Sequence, residues 1–308
     1  MLLVVVMSLV VQLENDDELA KVVAQINSEK RFKERFISTI RQSIDEVIDG
    51  PRTGRYAYDQ LEKTEKTYLG TKIEILVRSE FGFELGEKMD YRIGGIEVDC
   101  KYTGSGWGWN IPKEAIGHLC LLVRADDKKG RASVGLIRAT PEVMNKGKNQ
   151  DGKGTISKSG REAIHWFFLD EPMPLNQLFI WSDTLIDKIK EKTSGQQRLN
   201  EMFRLVQGVL IERETIATIA QAKDDPMKRV RANGGARSML ASEGIIILGH
   251  QNDHPRICRE LALPVPTKGQ VVAVRVVPGD GHDCCYFAGN YWRKATESDE
   301  QVAVPVTY

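Results

Sequence analysis

At 308 residues, with 43 basic and 43 acidic side chains cancelling to a formal net charge of zero, the chain is long enough for two ordinary domains. Hydrophobic residues are 41% and charged residues 28%, so each half can bury a core without staples. Neutrality excludes a uniformly basic nucleic-acid coat, and any DNA-binding surface has to come from local patterning. Five cysteines (Cys100, Cys120, Cys258, Cys284, Cys285), odd in number and two of them adjacent, make a poor disulfide framework and point to a reducing cytoplasm.

The opening MLLVVVMSLVVQL is apolar. It is too short to span a bilayer and lacks the basic flank and cleavage site of a signal peptide, so it reads as a strand, a packed tail or an over-long start ahead of Met7. Residues 14–49 carry helical spacing through Leu19, Val22, Val23 and Ile26, then Phe36, Ile37, Ile40, Ile44 and Val47. Asp49-Gly50-Pro51 ends that pattern, and a loop with Arg52 and Arg55 follows. TYLGTKIEILVRSEFGF predicts a helix, and MDYRI, GGIEVDCKYT, HLCLLVRAD and ASVGLIRA predict strands, with IPKEAIGH a short helix between two of them. Interleaved strands and helices predict a mixed α/β domain with a central sheet. Residues 143–160, rich in Lys, Gly and Ser, read as a loop.

EPMPLN, at 171–176, reads as a boundary, which places an N-terminal domain at 14–168, a linker at 169–175 and a second domain at 176–308. The second half shows several short helical patterns, then strand-like GIIILG and GQVVAVRVV, the order of a winged helix-turn-helix. Within it, Thr215–Ala220 is a first short helix. Asp225-Pro226 starts a next element crowded with Lys228, Arg229, Arg231 and Arg237, side chains suited to phosphates; an arginine or Asn233 can read base edges. Asn233-Gly234-Gly235 interrupts that element. Arg52 and Arg55 are candidate phosphate contacts, and Trp107 and Trp109 are candidates for DNA contact or for core packing. His250, His254 and Cys258, with His282, Cys284 and Cys285 later, have conceivable zinc spacing, although capping and packing explain His254 more simply. There is no Walker-type phosphate loop, and hence no expectation of ATP use.

The chemistry concentrates in MDYRIGGIEVDCKYTG. Strand alternation puts Ile96, Val98 and Cys100 on one face and Glu97, Asp99 and Lys101 on the other. A Gly94-Gly95 turn folds the preceding strand back, bringing Asp90 towards Asp99. Two close carboxylates repel unless they share a cation, and oxygen donors suit a hard ion such as Mg²⁺. Lys101 can stabilise charge on a phosphate, Glu74 is a candidate third carboxylate, and Glu97 is either a further ligand or a solvated partner of Lys101.

The set Asp90, then Asp99-Cys100-Lys101, resembles the core of the PD-(D/E)xK nucleases. More narrowly, DGPRTGRY (49–56), YLGTKIE (68–74), MDYRIGGIEVDCKY (89–102), WNIPKEAIGHLCLLVRAD (109–126) and LGHQNDHPRI (248–257) resemble the NaeI family of restriction endonucleases over most of the chain. That resemblance implies a cytoplasmic prokaryotic homodimer with a restriction-endonuclease-like first domain and a winged-helix second domain. It implies Mg²⁺-dependent, sequence-specific cutting of double-stranded DNA, with 5′-phosphate ends. It further implies a second DNA copy bound as activator, a cognate DNA methyltransferase as functional partner, and Glu74, Asp90, Asp99 and Lys101 as the catalytic set. Met89 stands where a proline often precedes the first aspartate; that position is not a ligand. Two rival readings are a repair or recombination nuclease of low sequence preference and a non-enzymatic winged-helix regulator.

Overall fold

Both N-terminal helical patterns form helices in the computed structural model, which describes residues 16–147, 153–222, 224–281 and 284–307. The apolar opening stretch lies outside the described residues. Helix α1 (Asp17–Asn27) starts where the Asp16 side chain accepts the Leu19 N–H at 3.0 Å, an N-cap that satisfies one free amide of the first turn. Helix α2 (Phe32–Ile48) and helix α3 (Lys63–Phe81) follow, and Gly82 at φ 64° ends α3 in the left-handed conformation that glycine adopts without strain.

Among the described residues eight strands follow in chain order: β1 (Glu84–Leu85), β2 (Tyr91–Ile93), β3 (Ile96–Thr103), β4 (Asn110–Ile111), β5 (Leu119–Asp126), β6 (Arg131–Arg138), β7 (Gly154–Thr155) and β8 (His165–Pro172). Six make a mixed sheet of order β1-β2-β3-β5-β6-β8, parallel between β3 and β5 and antiparallel elsewhere; β4 and β7 pair separately. All eight residues of β5 are buried, because the sheet is covered on both faces. On one face Leu119, Leu121 and Val123 pack with the apolar stripes of α1, α2 and α3. On the other, Cys120 and Leu122 pack with Met89, Trp109, Ile111, Ile156 and Ile164.

Two expectations for this half need correction. The 143–160 stretch is not simply a solvated loop: Gly154–Thr155 pairs with β4, and Ile156 is buried in the core. Likewise, 169–175 is not a free linker, since β8 runs to Pro172 and Met173 is buried and donates its N–H to the Gly130 carbonyl at 2.8 Å.

The chain forms two compact units, one of 16–48 with Ala57–Leu175, the other of Asp49–Tyr56 with the residues from Asn176 onward. The DGPRTGRY segment therefore belongs to the second unit, and not to the first half in which its position in the sequence places it. Its single helical turn, Gly50–Thr53, packs on α6 (Arg213–Ala220). Gly50 is required there, because a Cβ would sit 2.3 Å from Thr218 Oγ1 and 2.9 Å from the Arg55 carbonyl oxygen. We expect Gly50→Ala to cost about 1–3 kcal/mol by overpacking, measured as a lowered urea midpoint. Adding Thr218→Ala should restore part of the loss.

The second unit also contains α4 (Asp183–Lys190), α5 (Gly195–Leu205) and α7 (His254–Glu260). Its sheet comprises β9 (Leu210–Glu212), β10 (Ile245–Leu248), β11 (Gln270–Pro278), β12 (Cys285–Phe287) and β13 (Asn290–Lys294), with β11 pairing β9, β10 and β13. The run Ile245-Ile246-Ile247-Leu248 is apolar throughout because alternate residues enter separate cores on the two faces. The basic element expected after Asp225-Pro226 is not one helix. A 3-10 turn (Pro226–Arg229) is followed by a helical turn (Ala236–Met239), and a Cβ at Gly235 would lie 2.5 Å from the Arg231 carbonyl oxygen. No helix among the described residues is long and apolar enough to cross a membrane.

Candidate active site

The hairpin joining β2 to β3 sets the site. Gly94 and Gly95 take φ 59° and 80°, the positive angles that a two-residue turn with the twist of its strands requires. The register pairs Tyr91 with Val98, so Asp90, one step beyond, falls beside Asp99. Val98 and Cys100 enter the helix-side core. Asp99 and Lys101 alternate with them and stand on the opposite face, beside Cys120 and Leu122 of β5.

The side chains then converge. Lys101 Nζ lies 2.6 Å from Asp99 Oδ1 and 3.5 Å from Asp90 Oδ2, and it donates to the Cys100 carbonyl at 3.0 Å. Asp90 Oδ2 accepts the Cys100 N–H at 2.7 Å, tying the two arms of the hairpin together. Glu74 joins from α3, whose turn is held when the Tyr91 hydroxyl donates to the Glu74 carbonyl oxygen at 3.0 Å. Arg78 Nη1 is 3.8 Å from the Glu74 carboxylate. The structure thus brings together three of the four residues singled out from the sequence, Asp90, Asp99 and Lys101, while Glu74 stands on α3 within reach of the charges of Asp90 and Lys101.

Burial pushes the Asp99 carboxyl up to about 6, with Lys101 pulling against the rise and Asp90 adding to it. Glu74 is also raised, first by burial and then by the charge of Asp90. Burial works against the charge of Lys101, but Asp99 and then Asp90 hold its ammonium above the ordinary lysine value. A buried carboxyl that resists ionisation gains from a nearby cation, and Lys101 already places one positive charge within 3.5 Å of both Asp99 and Asp90. The described residues contain no cluster of three or more His, Cys, Asp or Glu close enough to hold an ion. Asp90 and Asp99 are the pair of oxygen donors that could hold a hard divalent ion, which binds through one or two carboxylates and keeps waters.

Sequence reasoning missed one neighbour and misread another. The Cys120 thiol sits 3.8 Å from Asp99 Oδ2, and burial keeps it protonated. Glu97 is neither a ligand nor a partner of Lys101. Its carboxylate accepts the backbone N–H groups of Glu87 (3.0 Å), Lys88 (3.0 Å) and Met89 (2.8 Å). Those amides hold its carboxyl below the ordinary value. Strand alternation alone carries no signal for a side chain that reaches back eight to ten residues.

The candidate DNA contacts separate into groups. Trp109 is fully buried, and its indole N–H donates to the Val123 carbonyl at 2.8 Å. It is a core residue, which corrects the expectation of a DNA contact. Trp107 is half-buried, with the Arg124 guanidinium 4.4 Å from its ring centre. In the second unit Arg52 is exposed and pairs with Asp49 at 2.9 Å, while Arg55 is half-buried. Lys228, Arg231 and Asn233 are exposed, with Lys228 3.9 Å from Asp224 and Arg231 3.5 Å from Asp225. Arg229 is half-buried. Arg237 binds the Ile247 carbonyl through Nε (3.1 Å) and Nη2 (2.7 Å), which orients it from behind. Arg231 and Arg237 line an open cavity of about 630 Å³ together with Arg213, His250 and Lys268. Of the zinc candidates, His254 is buried and its Nδ1 accepts the Gly249 N–H at 2.9 Å, Cys258 is buried in the core, and His282 lies outside the described residues.

The family model for restriction endonuclease NaeI matches residues 20–304. The chain is also 43% identical over 303 residues to the type II restriction enzyme NaeI of Lentzea aerocolonigenes, covering 95% of each chain. With a match that runs through both units, the chain belongs to the restriction endonuclease NaeI family and is an enzyme of the type II restriction class.

Proposed function

We propose that this chain hydrolyses double-stranded DNA at a specific sequence in a Mg²⁺-dependent reaction, with Asp90, Asp99 and Glu74 facing the metal and Lys101 facing the phosphate. The observation that carries the reading is the cluster itself: one ammonium within 3.5 Å of two carboxylates, one on each arm of the β2–β3 hairpin. A divalent ion held there supplies Lewis acidity and a more acidic water. Lys101 supplies a fixed positive charge where the phosphorus gains negative charge, in a site dry enough for that charge to count. Asp99 and Asp90 orient the ammonium, and the Cys100 N–H orients Asp90. Water oxygen bonds to phosphorus, the bond from phosphorus to the 3′ oxygen breaks, and that oxygen takes up a proton. The products are 5′-phosphate and 3′-hydroxyl ends.

The second unit acts as a winged-helix DNA-binding domain, with α6 and the broken basic segment as its reading elements and the β12–β13 hairpin as a wing. The exposed Lys228, Arg231 and Asn233 and the basic cavity beside them support this role. Arg52, Arg55, Arg229 and Arg237 add phosphate contacts in the same unit. A second DNA copy bound there activates cleavage. The enzyme works as a homodimer in a prokaryotic cytoplasm, one site per strand, beside a methyltransferase that protects host DNA.

Incubating the full chain with a panel of plasmids and 10 mM-scale Mg²⁺ (roughly saturating for weak carboxylate sites), then sequencing the ends, tests the reading. Discrete fragments sharing one short sequence and carrying 5′-phosphates are expected, and EDTA should stop all cutting. Scattered ends would favour a nuclease of low specificity, and bound but uncut DNA in Mg²⁺ and Mn²⁺ a regulator.

A further inference from the structure

We propose that Glu97 is a positioning residue for Asp90, acting through the backbone amides that precede it; this rests on the reading of Asp90 as a metal-facing carboxylate. The Glu97 side chain leaves β3 on the face that also carries Asp99 and Lys101, and closes on the 86–89 turn. Oε1 takes the Glu87 N–H at 3.0 Å, and Oε2 takes those of Lys88 and Met89 at 3.0 and 2.8 Å. Successive amides aimed at one anion form a concave cradle that a carboxylate fills, and charge makes such hydrogen bonds stronger than neutral ones.

The turn is shaped for this occupant. A Cβ on Gly86 would stand 2.2 Å from the Met89 carbonyl oxygen and 2.8 Å from Glu97 Oε2, so only glycine lets the chain close this tightly. Met89, the last residue of the cradle, sends its side chain into the core beside Cys120 and Leu122. Asp90 comes next, and its Oδ2 is received by the Cys100 N–H at 2.7 Å. The backbone entering Asp90 is thus pinned by the Glu97 carboxylate, and its side chain by the strand that bears Asp99. A single strand, β3, supplies Asp99, Lys101 and both restraints on Asp90. The distance between the two aspartates then depends on one strand rather than on the free course of the 86–90 turn between β1 and β2. Arg92, paired with Glu97 in the register, is turned instead to Glu84 at 2.8 Å, so the cradle keeps its own anion.

The test uses the full-length protein with Mn²⁺ alone as calorimetric probe, and amide hydrogen exchange at residues 87–89. Glu97→Ala should deprotect those amides and weaken Mn²⁺ binding by roughly 10–100-fold, the usual loss when a group that orients a metal ligand is removed. The Mg²⁺ concentration for half-maximal cleavage should rise in step, with the rate at saturating Mg²⁺ recovering to within a few-fold. Glu97→Gln, which keeps one acceptor oxygen, should fall between. Gly86→Ala, which opens the turn from the other side, should reproduce the Glu97→Ala loss. In an Asp90→Asn background, Glu97→Ala should change Mn²⁺ binding no further, since it acts through Asp90. Unchanged Mn²⁺ affinity in Glu97→Ala with the amides deprotected overturns the proposal, as does full additivity with Asp90→Asn. If Asp90→Asn alone binds Mn²⁺ like the unaltered chain, the metal-facing role of Asp90 is what fails, and the Glu97 result is not needed to see it.

Discussion

Replacing Lys101 by alanine is expected to lower the cleavage rate by about 10³-fold, roughly 4 kcal/mol of barrier, while leaving DNA affinity within a few-fold of the unaltered enzyme. The ammonium sits 2.6 Å from Asp99 and 3.5 Å from Asp90, where two carboxylates already leave little room for further negative charge. A scissile phosphate adds charge there as the reaction proceeds. Lys101→Arg should not rescue, because a planar guanidinium cannot take the place of a compact ammonium in a pocket whose Asp99 side chain is only 7% exposed. Asp99→Asn should be as inactive, and its stability separates lost chemistry from lost fold. In the metal-free chain burial holds the Asp99 carboxyl up at about 6, above the ordinary aspartate value. A carboxyl so raised makes folding less favourable as the pH climbs past the ordinary value and on through 6, so at pH 8 the ionised form is a net cost to the fold. Asp99→Asn removes that cost, and its thermal midpoint in EDTA at pH 8 should equal or exceed that of the unaltered chain. Gel-shift assays in Ca²⁺ check binding, and single-turnover cleavage in Mg²⁺ checks rate. Cutting retained within tenfold by either variant would remove Lys101 and Asp99 from the mechanism.

The cluster was legible in the sequence because β-strand alternation and a Gly-Gly turn are local rules. Period two puts Asp99 and Lys101 on one face whatever the rest of the chain does, and positive φ at Gly94 and Gly95 folds Asp90 back to them. The helices at Asp17–Asn27 and Phe32–Ile48 were legible for the same reason, as apolar stripes of period 3.6. What escaped depends on distant partners. A tryptophan beside a catalytic strand reads equally well as a DNA contact, and only the buried hydrogen bond to Val123, fourteen residues on, assigns Trp109 to the core. The short segment Asp49–Tyr56 carries no composition that announces membership of the second unit. Its docking is written in the space above Thr218, almost 170 residues away by simple difference of their numbers, which no local pattern records. The basic stretch after Pro226 failed as a continuous helix for a reason that was visible, the Asn233-Gly234-Gly235 break, and close packing of Gly235 on the Arg229 and Arg231 carbonyls is what that break serves.

Arg41→Ala is expected to destabilise the first unit by about 3–5 kcal/mol, the range for breaking a buried ion pair from one side. Arg41 is nine-tenths buried on α2, where its Nε and Nη2 make a two-point pair with Asp45 at 2.9 and 2.7 Å. Its Nη1 meets Asp127 Oδ1 at 2.5 Å and lies 3.5 Å from the Pro174 carbonyl oxygen. The other oxygen of Asp127 accepts the Tyr58 N–H at 3.1 Å. The chain leaves this unit after Ile48, returns at Ala57 and leaves again after Leu175, so Arg41 and Asp127 gather the backbone close to both the return and the final exit. Without the guanidinium, Asp127 is left buried at 5% exposure with one amide as its remaining polar partner among these contacts. The loss should be non-additive: Arg41→Met with Asp127→Leu removes both charges and should cost less than Arg41→Ala alone. Urea unfolding of the full chain, followed by tryptophan fluorescence of the Trp107–Trp109–Trp166 cluster in the same unit, reads the effect. At low temperature and low urea, where Arg41→Ala remains folded, its cleavage rate should stay within a few-fold of the unaltered enzyme, because none of its contacts reaches Asp90, Asp99 or Lys101. A loss below 1 kcal/mol, or a cleavage defect in the fully folded variant, would show that the pair is not the clamp of this unit.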